Sequence, residues 1–135
     1  MANQELSKNE PFEVLGSENS QPENVFDGQS VLERVDGDWE LLEQLVTLFL
    51  DSSPNLMAEI QDAIEHRDSS ALHRAAHSLK GSVANLGGTA AQEAAMKLEQ
   101  LGREGDMQDV DEAYLSLVEE VSQFKVKVVR FLQRG

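Results

Sequence analysis

The most reactive pattern in this sequence is carried by His77, Lys80 and Gly81, within the run Ala76-His77-Ser78-Leu79-Lys80-Gly81-Ser82. The chain has no cysteine, so an imidazole is its best nucleophile at neutral pH, where free histidine, titrating near ~6.5, is largely uncharged. One helical turn further on, Lys80 places an ammonium where an anion attached to the ring would sit. Side chains lean toward a helix N-terminus, so the residue that would shadow His77 lies four positions later, and that residue is Gly81. A glycine inside a helix costs ~1 kcal/mol relative to alanine. Access for a second protein to an imidazole carrying a phosphoryl group would account for that cost, with Lys80 screening the phosphate charge.

These residues need a helix to hold them, and the stretch from Ser70 to Leu86 predicts one. Leu72, Ala75, Ala76, Leu79, Val83 and Leu86 recur at i, i+3, i+4, i+7 and mark its buried face. At ~100° per residue, His77 falls roughly 140° from that face, beside His73, Arg74, Lys80, Gly81 and Ala84. It should therefore meet solvent.

Helical periodicity extends over the rest of the chain from Asp36 onward. A short opening helix is expected within Asp27 to Val35. After a cap at Asp36 or Asp38, Trp39, Leu42, Leu45, Val46 and Phe49 form a stripe expected to end before Pro54, with Ser53 and Pro54 starting a new helix through Leu56, Met57, Ile60, Ala63 and Ile64. Asp68, Ser69 and Ser70 can cap the helix of His77, and Gly87 and Gly88 end it. Thr89 and Gln92 resemble a capping box for a helix that buries Ala91, Ala94, Ala95, Leu98 and Leu101, closed by Gly102 and Gly105. Asp106 or Asp109 can cap the last helix, where Val110, Ala113, Tyr114, Leu117, Val121, Phe124, Val128 and Phe131 recur, and Lys125, Lys127, Arg130 and Arg134 complement its dipole. Trp39 and Tyr114 are expected in the core. Short connections favour antiparallel neighbours. The fold expected is all-α: an antiparallel up-and-down four-helix bundle at residues 25–135, with a short extra N-terminal helix and a flexible acidic tail or linker at residues 1–24.

Length and charge limit the remaining possibilities. A chain of 135 residues suits one domain. With 11 Lys and Arg against 25 Asp and Glu, the net charge of -14 should repel nucleic acid and anionic membrane surfaces. No apolar run reaches the ~20 residues of a membrane span, and residues 1–10 lack the pattern of a secretion signal. A cytoplasmic protein is expected. No phosphate-cradling glycine motif is present, so ATP chemistry of its own is not expected.

Through Ala76-His77-Ser78-Leu79-Lys80-Gly81-Ser82, Asn85-Leu86-Gly87 downstream and Leu98-Glu99 in the next helix, the chain resembles the histidine phosphotransfer (HPt) domain family of two-component phosphorelays, over about Val25 to Phe131. The resemblance implies that His77 accepts a phosphoryl group from a receiver-domain aspartate and passes it to another response-regulator receiver. Lys80 would stabilise the phosphate and Gly81 would give access. It implies a phosphocarrier, not an enzyme, with no intrinsic cofactor and with Mg²⁺ supplied by the receiver. Partners would be receiver domains and a hybrid sensor histidine kinase, in cis or in trans, and the carrier would be a monomer. Attack is expected from Nε2, the ring nitrogen farther from the backbone.

Several neighbours have two readings. His73, Arg74, Ser78, Ala84, Gln92 and Met96 are expected to border the docking surface. Arg67 and Arg74 could equally be solvated, and Ser78 and Ser82 could bond back to carbonyls one turn earlier. Gln92, Met96, Glu99 and Arg103 form a secondary stripe, in which the Glu99 carboxylate would repel a phosphate. His73 and His77 at i, i+4 could be two metal ligands, but no third ligand is evident and no metal site is expected. His66 suits a helix end, as a solvated or dipole-compensating residue. The alternative function is a bundle that serves only as an interaction or scaffold element.

Overall fold

The computed structural model describes residues 26–134, and the expected tail at residues 1–24 lies outside them. The described residues form five helices: α1 (Gly28–Arg34), α2 (Trp39–Glu65), α3 (Ser69–Asn85), α4 (Thr89–Glu104) and α5 (Val110–Arg134). Helices α2 to α5 pack around a square, each against its two chain or ring neighbours: α2 on α3, α3 on α4, α4 on α5, and α5 back on α2. Trp39 meets Phe131 and Phe49 meets Phe124, so α2 and α5 run in opposite directions. This is the expected up-and-down bundle with a short additional helix.

Aspartates define three of the starts. Asp27 accepts from Ser30 N, Asp38 from Leu41 N and Asp68 from Ala71 N, each satisfying a donor that has no partner within its helix. The expected capping box at Thr89 does not form. Gly88 occupies the cap position without a side-chain bond, and Thr89 is already helical. A side chain at Gly88 would have met the Phe124 ring, 3.0 Å from where its Cβ would stand, so packing prevails over capping here.

The expected break at Ser53-Pro54 is also absent: α2 runs through Pro54 as one helix of 27 residues. The buried positions explain why. Leu42, Val46, Phe49, Ser53, Ile60, Ala63 and Ile64 keep a single phase along α2, so a break would have thrown half the stripe off the core. Pro54 sits on the exposed side, where water can reach the carbonyl that proline leaves unbonded. Ser53 is fully buried, and its hydroxyl has no hydrogen-bond partner.

The core is the layer between the four long helices, from Leu42 and Val46 through Leu72, Leu79 and Val83 to Leu98, Leu117 and Val128, all at 1% exposure or less. Phe26 and α1 close one end. Phe26 packs edge-on against Phe124 and Phe131, and Val31 presses on Gly87, which has φ +74° and no room for a Cβ. Trp39 departs from expectation. It is 36% exposed, tilted over Phe131 at the rim of the bundle instead of lying within the core. Tyr114 is half-buried against the core, and burial raises its hydroxyl pKa. Among the described residues, no helix is long and apolar enough to cross a membrane.

Candidate functional site

The site lies where α3 and α4 approach most closely, and that approach depends on a glycine that is buried within α4. A Cβ on Gly102 would stand 2.7 Å from His73 N and 2.8 Å from Ser69 O, both backbone atoms of α3. Gly102 was expected only to help close α4. It lies inside the helix instead, and Gly105 forms the left-handed cap, with φ +71°. Its role is to let two backbones touch. That contact sets Glu99, one turn earlier on α4, directly beside His77.

His77 is exposed, as its position on the helix implied, with 64% of its side chain accessible. Its Nδ1 lies 2.8 Å from Glu99 Oε2. Glu99 itself is 3% exposed, hidden beneath the side chains that contact it. Lys80 Nζ stands 2.6 Å from Glu99 Oε1 in an ion pair. Arg103 Nη2 is 3.6 Å from Oε2. The Lys80 contact, followed by the His77 bond, holds the Glu99 carboxyl below the usual carboxylate range against the opposing effect of burial. An ionised carboxylate can only accept, so His77 Nδ1 donates and carries the ring proton. In the neutral ring the lone pair is then on Nε2.

Glu99 thus lies against Nδ1, the ring nitrogen nearer the backbone, with its charge offset by Lys80. Arg103 was unassigned from sequence. The stripe Ala95, Leu98, Glu99 and Gly102, all buried, was a legible hint that Glu99 points inward. Its partner 22 positions away was not.

A Cβ on Gly81 would meet nothing within 4 Å, the His77 ring included. The surface beside His77 is open. His73 is half-buried, its ring 6.4 Å from that of His77 and inclined by 26°, and its Nδ1 is 3.2 Å from the Glu99 carbonyl oxygen. The pairings of His77 with Glu99 and His73 with Gly102 set an antiparallel register that places Met96 and Gln92 alongside Lys80 and Ala84. Met96 is 45% exposed, while Gln92 and Ala84 are half-buried. Arg74 and Ser78 lie on the other flank, lining an open polar cleft of about 350 Å³ with Glu59, Asp62 and His66 of the α2 side. Arg74 contacts Ser70 Oγ at 3.3 Å, and Ser82, as one reading had it, donates to Ser78 O.

Arg67 and His66 serve the turn between α2 and α3. Arg67 reaches Met107 O at 3.3 Å and Asp111 Oδ2 at 3.2 Å, tying that turn to the start of α5. His66 caps α2, and the Asp62 carbonyl, then the Asp62 charge, raise its pKa. Among the described residues, no group of three or more His, Cys, Asp or Glu comes together in a way that could hold a metal ion.

A family model described as the Hpt domain matches residues 44–126, more than half of the chain. The fold is similar to a crystal structure of histidine-containing phosphotransfer protein B (HptB) from Pseudomonas aeruginosa PAO1, with a TM-score of 0.76 and 22% identity, covering 86% of this chain and 99% of that one. No curated protein sequence matches.

Proposed function

The chain belongs to the Hpt domain family of histidine phosphotransfer domains, and on that premise we propose that it carries a phosphoryl group on His77 Nε2 between receiver domains. The observation that supports this most is the 2.8 Å contact of Glu99 with Nδ1, which leaves Nε2 as the one nucleophilic atom, on an exposed ring beside an uncovered Gly81.

The step balances without proton transfer. The Nε2 lone pair attacks phosphorus of a receiver's aspartyl phosphate, the bond from phosphorus to the aspartyl oxygen breaks, and its electron pair stays on the departing carboxylate. Nδ1 keeps its proton throughout. The positive charge that the ring gains is met by Glu99 on one side and by the phosphoryl oxygens on the other. Lys80, paired with Glu99 at the rim of the ring, swings its ammonium to those oxygens. In the onward step a second receiver's carboxylate attacks phosphorus, the N–P bond breaks and the pair returns to Nε2. Mg²⁺ held in the receiver's acidic pocket supplies charge neutralisation for the transferring group. This chain needs no cofactor of its own and acts as a monomer. A receiver, free or part of a hybrid sensor kinase, docks on this side of the bundle over His73, Arg74, Ser78, Ala84, Gln92 and Met96.

The test is to incubate the chain with a phosphorylated receiver and Mg²⁺, then add a second receiver. Acid-labile, base-stable label on the chain, its passage to the second receiver, and its absence from His77→Gln support the reading. Undiminished label on His77→Gln would overturn the assignment to His77, and no label on the native chain from any receiver tried would overturn the reading in favour of an interaction bundle.

A further inference from the structure

One residue, Glu99, holds two histidines by the same ring nitrogen. Its carboxylate takes Nδ1 of His77 at 2.8 Å and its main-chain oxygen takes Nδ1 of His73 at 3.2 Å. A carbonyl oxygen can only accept, and its second lone pair is available even inside a helix. His73 therefore donates from Nδ1, as His77 does. The two rings lie nearly parallel, inclined by 26°. One turn along α4, Gly102 presses against His73 N, so the ring and the backbone of His73 together grip the turn of α4 that carries Glu99.

We infer that His73 is a positioning residue for His77, keeping the Glu99 carboxylate on Nδ1 and so keeping the lone pair on Nε2. The inference rests on the carrier reading above for its functional consequence, though not for its geometry. Without the His73 donor, the Glu99 main chain loses its side-chain tether to α3, and the Glu99 carboxylate is held less firmly against His77. His77 then populates the other tautomer, with the proton on Nε2. That form has no lone pair to offer an incoming phosphorus. His73 acts through Glu99 and need not touch the phosphoryl group.

Substitutions can separate the donor from the ring. Asparagine places its amide nitrogen where Nδ1 stands, glutamine places one where Nε2 stands, and leucine has neither. The state of His77 is read by long-range ¹H–¹⁵N correlation about two pH units above the ordinary histidine value of ~6.5, with no receiver present. The native chain and His73→Asn should show His77 protonated on Nδ1 alone. His73→Leu and His73→Gln should show a mixture, and should accept phosphate from a phosphorylated receiver more slowly, on the order of tenfold, as small misplacements of reacting groups do. Thermal melting of each variant identifies any that fail to fold, and either Leu or Gln suffices if the other does.

An unchanged tautomer in the folded Leu and Gln variants would overturn the inference, as would failure of His73→Asn to restore both readouts. A native chain that takes no label while its tautomer responds as stated would sink the carrier reading alone.

Discussion

Because Glu99 Oε2 accepts from His77 Nδ1 at 2.8 Å, the neutral ring keeps its lone pair on Nε2, and the proposed transfer turns on what can reach that atom. Glu99→Gln keeps an oxygen for Nδ1 and gives up the charge opposite Lys80. Glu99→Ala gives up both and strands a Lys80 side chain that is only 25% exposed. Transfer from a phosphorylated receiver, followed by rapid quench, should fall a few-fold in the first variant and at least tenfold in the second. Urea unfolding should show the alanine variant destabilised by about 1–3 kcal/mol, the range for a lost charge-assisted hydrogen bond. Gly81→Ala should separate stability from function. The added Cβ meets nothing, so the melting temperature should rise with a gain of up to ~1 kcal/mol in helix propensity, while transfer slows because the approach to His77 is narrower. A faster or unchanged rate would remove Gly81 from the account. The positions of His77, Lys80 and Gly81 were legible because all three lie within about one helical turn, where spacing fixes direction. The role of Glu99 was not, since it depends on how two helices meet across 22 positions.

The helices succeed or fail as predictions for the same reason. Caps were legible to within a residue or two, Asp38 forming where Asp36 or Asp38 was expected and Asp68 where Asp68, Ser69 or Ser70 was, because an aspartate beside an apolar stripe acts locally. The continuity of α2 through Pro54 and the unused capping box at Thr89 were not, because burial of Ser53 and crowding of Gly88 by Phe124 are tertiary facts that override local preference. Gly102 belongs with these. From sequence it reads as a helix terminator, whereas in the bundle it is the point of closest approach between α3 and α4. Gly102→Ala would force the backbones apart, against neighbours that are main chain and cannot turn aside. We expect a loss of about 1–3 kcal/mol by urea unfolding, the usual cost of overpacking. Transfer should also be slower in the folded fraction, because Glu99 would be drawn away from His77. Stability lost with an unchanged rate would mean that the crossing point does not position the site.

Over the molecule as a whole the net charge is -14, yet His73, His77, Lys80 and Arg103 gather about Glu99 on α3 and α4. That local contrast suits an acidic receiver pocket while the remainder of the surface repels phosphate polymers. The buried Glu99 ties this face to acid stability. Its carboxyl is held below the ordinary range by Lys80 and His77, so the unfolded chain binds a proton there more readily than the folded one. The stabilisation is complete above the unfolded value of ~4.3 and is lost as pH falls through the lower folded value. In urea titrations, the advantage of the native chain over Glu99→Gln should be present at pH 7 and should shrink once the pH drops below about 4. An advantage that persisted or grew in acid would contradict the ionised Glu99. The most direct measurement is the attachment point of phosphorus on the intact chain after reaction with a phosphorylated receiver and Mg²⁺, read by ³¹P–¹⁵N coupling. The account predicts a bond to Nε2 of His77, with Nδ1 still protonated. Phosphorus on Nδ1 of that ring, or on any other residue, would contradict it.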